Sequence, residues 1–310
     1  MMRLASSIDP YPQPDACALA VPPWVLDRVR GGTSREFTAE GGLGVTVRGG
    51  ENHALVSVRV TDVDGGSAAD FEQSTLRCYR TLAGVLTSLD TPHPVRFWNF
   101  IPNIRKGGAE GRDRYMVFNA GRFQALTEWF GGHRPSSAHV ATASGVGHRG
   151  RDLVIHVLTA RTPGIHVENP RQVPSFEYSS RYGPIPPCFA RATIVTGKHG
   201  EKMVLIGGTS SVRGEASVHP GDAAAQTCET LTNLRHLLAA VWNPGDSPCP
   251  DLDPLRAVRV YYVHEGDLAA IQGELRAVLS PAAQTSIEYS NADLCRPELL
   301  VEIEGVAKFP

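Results

Sequence analysis

The chain has 310 residues, of which 42% are hydrophobic and 20% charged, and carries a net charge of −2 at pH 7. This composition supports a sizeable core and excludes a disordered or coiled-coil chain. The near-neutral balance offers no basic face to nucleic acid, and runs such as Met203–Ile206 and Leu299–Val301 are far too short to span a bilayer.

Residues 1–30 lack a basic start followed by an apolar stretch, so no secretory signal is expected. The six cysteines form no C-x-x-C pair and read as reduced cytosolic thiols, which places the chain in the cytoplasm. The eleven histidines show no metal-ligand spacing, so neither a metal nor a cofactor is expected.

In chain order, the proline-rich residues 1–35 predict an irregular arm. A strand at Gly44–Val47 leads through the Gly50-Glu51 turn to a second at Ala54–Val56. Tyr79, Leu82, Val85 and Leu86 fall at helical spacing, and Val95–Trp98 reads as the next strand. An insertion at Asn103–Tyr115 carries Arg105, Lys106, Arg112 and Arg114, in a loop of the kind where function concentrates. A second helix over Phe118–Phe130 precedes two strands, the last at Leu153–Val157.

The same order then returns. Thr193–Thr196, the Gly200-Glu201 turn and Val204–Ile206 are followed by a helix with Leu231, Leu234, Leu237 and Leu238. After a loop over residues 243–254 come a strand at Val258–Tyr261, a helix over Asp267–Leu279 and two strands ending at Leu299–Ile303. Each half reads ββαβαββ, which predicts an α+β fold of two tandem domains, 1–165 and 166–310. Each would be a mixed sheet with helices on one face.

The last strand carries the sharpest chemical signal. Side chains alternate along a strand, so Leu299, Val301 and Ile303 would form one face and Leu300, Glu302 and Glu304 the other. Burial of Glu302 in so apolar a strand would raise its pKa and suit it to donate a proton. An edge strand with solvated glutamates is the alternative. The first half places His156 at the corresponding position, as one site per chain requires. Tyr178, Arg181, Tyr182 and Arg191 lie on a proline-rich loop that is either an anion pocket or a solvated surface. Arg114–Arg122 reads as a helix start. Gly207–Ser211 follows a strand as a turn, and its glycines would let backbone approach a small ligand.

Taken together, several segments resemble the chorismatase family. They are Arg96–Pro102, Arg114-Tyr115 with Phe118–Arg122, Glu168–Gln172, Tyr178 with Tyr182–Pro184, Phe189–Arg191, Gly208–Ser210, His219–Asp222, and Cys295-Arg296 with Glu302–Glu304. The resemblance implies two tandem YjgF/RidA-like (chorismate-mutase-like) domains and an enzyme that splits chorismate into pyruvate and a six-membered-ring acid. It places the acid on Glu302 and the substrate-holding groups on Tyr115, Arg122, Tyr178 and Arg191. It also marks Cys295 and Gly208 as signs of the type that yields 3-hydroxybenzoate, with Cys295 assisting ring-proton loss. A type that adds water to give a dihydroxycyclohexadiene acid is the alternative, and an enamine or imine hydrolase of the same fold is a second. The expected partner is the small molecule alone, bound by a monomer or small homo-oligomer.

Overall fold

In the computed structural model, which describes residues 19–309 apart from 109–110, 137–138, 198–199, 243–251 and 282–285, two six-stranded sheets carry the chain. The first half contributes α1 (Pro23–Arg28), β1 (Ser34–Ala39), β2 (Leu43–Gly49), β3 (His53–Val60), α2 (Ala68–Leu86), β4 (His93–Pro102), α3 (Arg114–Trp129), β5 (Thr142–His148) and β6 (Leu153–Ala160). The second contributes β7 (Ile165–Val167), β8 (Ala192–Thr196), β9 (Lys202–Ser210), the small hairpin β10 (Val212–Arg213) and β11 (Ala216–Ser217), and α4 (Ala223–Trp242). It closes with β12 (Leu255–Tyr262), α5 (Leu268–Val278), β13 (Ile287–Asn291) and β14 (Val301–Lys308).

The strand orders are β1-β2-β3-β6-β4-β5 and β7-β8-β9-β14-β12-β13, one the image of the other. Each sheet has its parallel pair at the same edge, β4 with β5 and β12 with β13. Each half therefore holds the ββαβαββ series with one further strand ahead of it. Sheet membership changes between Ala160 and Ile165, and we propose that the two tandem units divide there, slightly ahead of the expected break after residue 165.

Helices cover one face of each sheet. Ser67 and Asp70 form a reciprocal capping box that starts α2, and Asp113 caps α3 through the Met116 amide at 2.8 Å. That cap explains why α3 begins at Arg114 rather than at Phe118. Phe71, Leu76 and Leu82 of α2 pack on Leu153, Ile155 and Val157 of β6. Leu231, Leu234, Leu237 and Leu238 of α4 pack on Val301 and Ile303 of β14.

The helix-free faces of the two sheets meet each other. Trp98, Phe100, Val154 and Leu158 from the first share a core with Leu205, Tyr261, Leu299 and Val306 from the second. Truncating one such large side chain costs about 3–5 kcal/mol. Residues 19–35 are not a wholly irregular arm. Pro23 opens the short helix α1, whose Val25 enters this same core and whose Trp24 ring lies 6.1 Å from that of Trp98. Residues 1–18 of the expected arm, and 243–251 of the expected loop, lie outside the described residues.

Two further differences bear on the site. β14 is central, between β12 and β9, so the edge-strand alternative does not hold. It begins at Val301, and Leu299 belongs to the core between the sheets rather than to the helix-facing side. The Gly207–Ser211 run is not a turn: Gly207–Ser210 lie inside β9.

Candidate active site

One end of the contact between the sheets opens into a cavity of about 270 Å³, sized for a metabolite rather than a polymer. Five stretches of chain supply its walls. α3 brings Tyr115 and Arg122, and β5 brings Ser144. The loop before β8 brings Tyr178 and Arg191, β9 brings Gly208 and Ser210, and the turn before β14 brings Cys295. Glu302 of β14 completes it. All seven residues singled out from the sequence thus line one cavity.

Glu302 is 5% exposed. Its Oε2 accepts a long bond from Ser210 at 3.4 Å, and its Oε1 has no hydrogen-bond partner. Burial first, and then the neighbouring Glu304, push this carboxyl up to about 8, against the opposing pull of Arg96, Ser210 and Arg191. At neutral pH Glu302 is a neutral acid with one oxygen free of hydrogen-bond partners.

A bulge in β9 makes room for that oxygen. Ile303 pairs with Thr209 and Gly305 with Ile206, so β9 holds one residue more than β14 over this step. A Cβ on Gly208 would stand 2.1 Å from Glu302 Oε1 and 3.2 Å from Ser144 Oγ. The absent side chain at 208 is therefore part of the seat of the acid, not of a turn.

Arg122 and Arg191 are 3% and 5% exposed, and the buried Nε of each lacks an acceptor. Arg122 donates to Asn119 at 2.8 Å. Arg191 donates to the Tyr178 hydroxyl at 2.7 Å and to the Val173 carbonyl at 3.1 Å. Glu168 approaches Arg191 at 3.9 Å without a hydrogen bond. Among the described residues, no carboxylate hydrogen-bonds to either guanidinium. The loop alternative of solvated arginines fails for Arg191 and holds only for Arg181, which is exposed.

Burial, and secondarily Glu302, push the Cys295 thiol up to about 12, so it is protonated at neutral pH. Tyr115 is raised by burial and then by Cys295, and its ring runs within 3.3 Å of the space that a Cβ on Gly145 would take.

The basic insertion has another task. Arg105 pairs with Asp293, Lys106 and Arg114 with Asp64, and Arg112 with Glu72. Those charges are spent on fastening the loop. Asp222, the last residue of the His219–Asp222 segment, caps α4 through the Ala225 amide at 2.9 Å. Sequence reasoning gave no role to Arg96, Ser144, Ser210 or Glu304. The signal available was two glutamates on one strand face. Among the described residues no group of His, Cys, Asp and Glu has a metal-binding arrangement, and no helix is long and apolar enough to cross a membrane.

Residues 32–159 match the family model described as "Chorismatase FkbO/Hyg5-like, N-terminal". A 3-hydroxybenzoate synthase of Streptomyces hygroscopicus is 35% identical over 242 residues, 76% of this chain and 69% of that protein. A chorismatase of the same organism is 32% identical over 244 residues, 78% of this chain and 69% of that protein. A solved chorismatase structure superposes with a TM-score of 0.75 at 29% identity, covering 88% of this chain and 79% of the other.

Proposed function

The chain belongs to the chorismatase family, and on that premise we propose that it cleaves chorismate to pyruvate and 3-hydroxybenzoate. The observation that carries this reading is a neutral, half-unpartnered glutamic acid in a cavity with two arginines that hydrogen-bond to no described carboxylate.

Chorismate is a dianion. Arg122 and Arg191 supply its two counter-charges, each able to bind a carboxylate through its planar fork. Tyr115 and Tyr178 flank them. Cleavage starts with a proton on the terminal methylene of the enolpyruvyl ether. Glu302 is the group with a proton to give at neutral pH, and Oε1 is the oxygen free to give it. The oxocarbenium that results is stabilised by a preorganised pocket.

Product choice follows protonation. In the 3-hydroxybenzoate route the substrate's own ring hydroxyl attacks in place of water, so no net water is consumed. Aromatisation then needs a ring proton to leave. Cys295 starts as a thiol and is no resident base. Glu302, having given up its proton, becomes the carboxylate that takes one back, with Cys295 beside it in that transfer. The closer homologue's name, 3-hydroxybenzoate synthase, supports this outcome over the water-adding one. Every residue assigned here comes from one chain, so we propose a site complete in a monomer or in each subunit of a small oligomer. We place it in the cytoplasm, where its thiols stay reduced.

The test is incubation with chorismate, with pyruvate followed through lactate dehydrogenase and the ring product by chromatography. One 3-hydroxybenzoate per pyruvate is expected. The diene acid alone would put the chain in the water-adding type, and no pyruvate would sink the reading. The alkaline limb of kcat/KM should fall near pH 8, because the required form of Glu302 is the protonated one and is lost as pH rises through its raised pKa.

A further inference from the structure

Glu302 and Glu304 stand two residues apart on the same face of β14, both buried and both turned toward the first sheet. Their surroundings are opposite. Glu304 accepts from Arg96 Nη2 at 2.7 Å, from Trp98 Nε1 at 2.9 Å, from the Tyr261 hydroxyl at 3.3 Å, and from the Ser144 hydroxyl. Four donors, one of them a cation, satisfy an ionised carboxylate. Glu302 has the single long bond from Ser210.

Ser144 fixes this asymmetry. Its hydroxyl lies beside the space above Gly208, close to Glu302. Yet it receives a bond from Arg96 at 2.6 Å and gives its own proton to Glu304. No hydroxyl hydrogen is left there for Glu302. Arg96 is likewise committed, to Glu304, to Ser144 and to the Phe97 carbonyl at 2.6 Å. Two carboxylates buried on one strand face repel each other as anions, and the proton is better kept by Glu302, which has the poorer donors.

We propose that Glu304 is the positioning residue of the reaction: held as an anion chiefly by donors from the first half of the chain, it keeps Glu302 in its acid form. The inference rests on the reading of Glu302 as the proton donor. Its consequence is that the acid is set only where the two halves are docked, since Arg96, Trp98 and Ser144 all reach Glu304 across the contact between the sheets. The groups that act on Glu302 or are acted on by it are Glu304, Arg96, Arg191, Tyr115 and Cys295, and the same cavity is lined by Asp113, Arg122, Tyr178, Arg181, Tyr182, Arg296 and Glu298. Of these, Arg96 and Arg191 pull it toward ionisation, and Glu304 opposes them. Without Glu304 only burial would oppose the pull of the Arg96 cation on Glu302.

The test is Glu304→Gln in the full chain, read in two ways. One is the pH profile of kcat/KM for pyruvate release. The other is the titration of the Glu302 carboxyl by carbon NMR on glutamate-labelled protein, identified by its absence in Glu302→Gln. Both the alkaline limb and the titration should move down by roughly one to three pH units, with activity largely retained at the acid end. A folded Glu304→Gln protein in which both stay at the wild-type position overturns the inference, because a purely structural role lowers rate or stability without moving either. Should the single variant not fold, Arg96→Met with Glu304→Gln removes both charges and leaves no orphan charge. Glu304 acts on Glu302 more strongly than Arg96 does, so this pair should still shift downward, by less. An unmoved titration there overturns the proposal equally. A wild-type protein that releases no pyruvate from chorismate would overturn the substrate assignment instead, and the titration would still decide the role of Glu304.

Discussion

β6 and β14 are the same strand of the repeat, and they show how a duplicated fold keeps one site. His156 pairs with Trp98 on β4 and with Ser57 on β3; Glu302 pairs with Tyr261 on β12 and with Ser210 on β9. Each has a serine partner, at 2.6 Å for His156 and 3.4 Å for Glu302. Burial drives both toward neutrality, pushing His156 down to about 4 and Glu302 up to about 8. The difference is closure. The second ring nitrogen of His156 meets the Leu19 carbonyl at 2.8 Å, whereas Oε1 of Glu302 meets no partner beside the cavity. Of two buried neutral groups, one has both its polar atoms satisfied and the other keeps one atom without a partner, and that atom is what chemistry can use.

The hardest test of that contrast is Glu302→Gln. The amide keeps the shape and has no acidic proton, so turnover should fall by ~10²–10⁴-fold while chorismate still binds. Steady-state kinetics alongside a binding titration checks it. A variant that kept most of its kcat would show that β14 is no more catalytic than β6.

Next come the arginines, one from each half. Arg122→Ala or Arg191→Ala should each cost on the order of 2–5 kcal/mol in kcat/KM, the usual penalty for leaving a buried charge unpaired. Lysine at either position should restore only part, lacking the bidentate fork. If both alanine variants matched wild type in kcat/KM, the carboxylates would bind elsewhere, and the cavity would not need both halves.

Much of this contrast was legible in the sequence. The helices and the inner strands announce themselves because each buries one face against a periodic partner, as Leu231, Leu234, Leu237 and Leu238 do. The His156–Glu302 correspondence followed from element order alone, and Glu302 from a charge in an apolar strand. β1 and β7 escaped notice because they are sheet edges: β1 is almost wholly exposed and β7 has three residues, so neither carries alternating burial. The bulge at Gly207–Gly208 is a matter of register with a strand some 95 residues away, which no local pattern encodes. The partners of Glu304 lie further still, on β4 and β5. The insertion does reach the site through Asp113 and Tyr115, but its four basic residues are paired elsewhere, because charge in a loop says nothing of the carboxylates waiting for it. Tyr178 and Arg191 stood in the sequence as one of two readings of a proline-rich loop, Tyr115 and Arg122 as binding groups only through family resemblance, and only the folded chain brings the four to one cavity.

Product choice should respond to a smaller change. With Glu302 as donor and acceptor of the proton, Cys295→Ala should still release pyruvate. The fraction of 3-hydroxybenzoate per pyruvate should fall, with a non-aromatic or isomeric acid in its place. About 1.4 kcal/mol moves such a ratio tenfold. Chromatography of the acids at full conversion reads it, and an unchanged ratio would leave Cys295 as a space-filling residue.

The smallest effect belongs to the counterpart position. His156→Gln keeps one donor and one acceptor for Ser57 and the Leu19 carbonyl, so kcat/KM should not change, and stability should fall by about 1 kcal/mol. The variant should also change how the protein meets acid. Burial holds His156 down to about 4, against an ordinary value of 6.5, so between those values the unfolded chain binds more protons than the folded one. The contribution of His156 to stability therefore rises with pH across that window and is level above it. Glutamine takes up no proton, so the loss of stability from pH 6.5 to 4 should be shallower in His156→Gln than in wild type. His53, also held down to about 4, adds a slope of the same sign, and Glu302 and Glu168, pushed up to about 8 and about 7, oppose it; all three are common to both proteins, so the difference reads His156 alone. Urea unfolding at stepped pH measures the difference. A slope identical to wild type would mean that His156 protonates in the native state, and a fall in kcat/KM would mean that the closed position still reaches the open one.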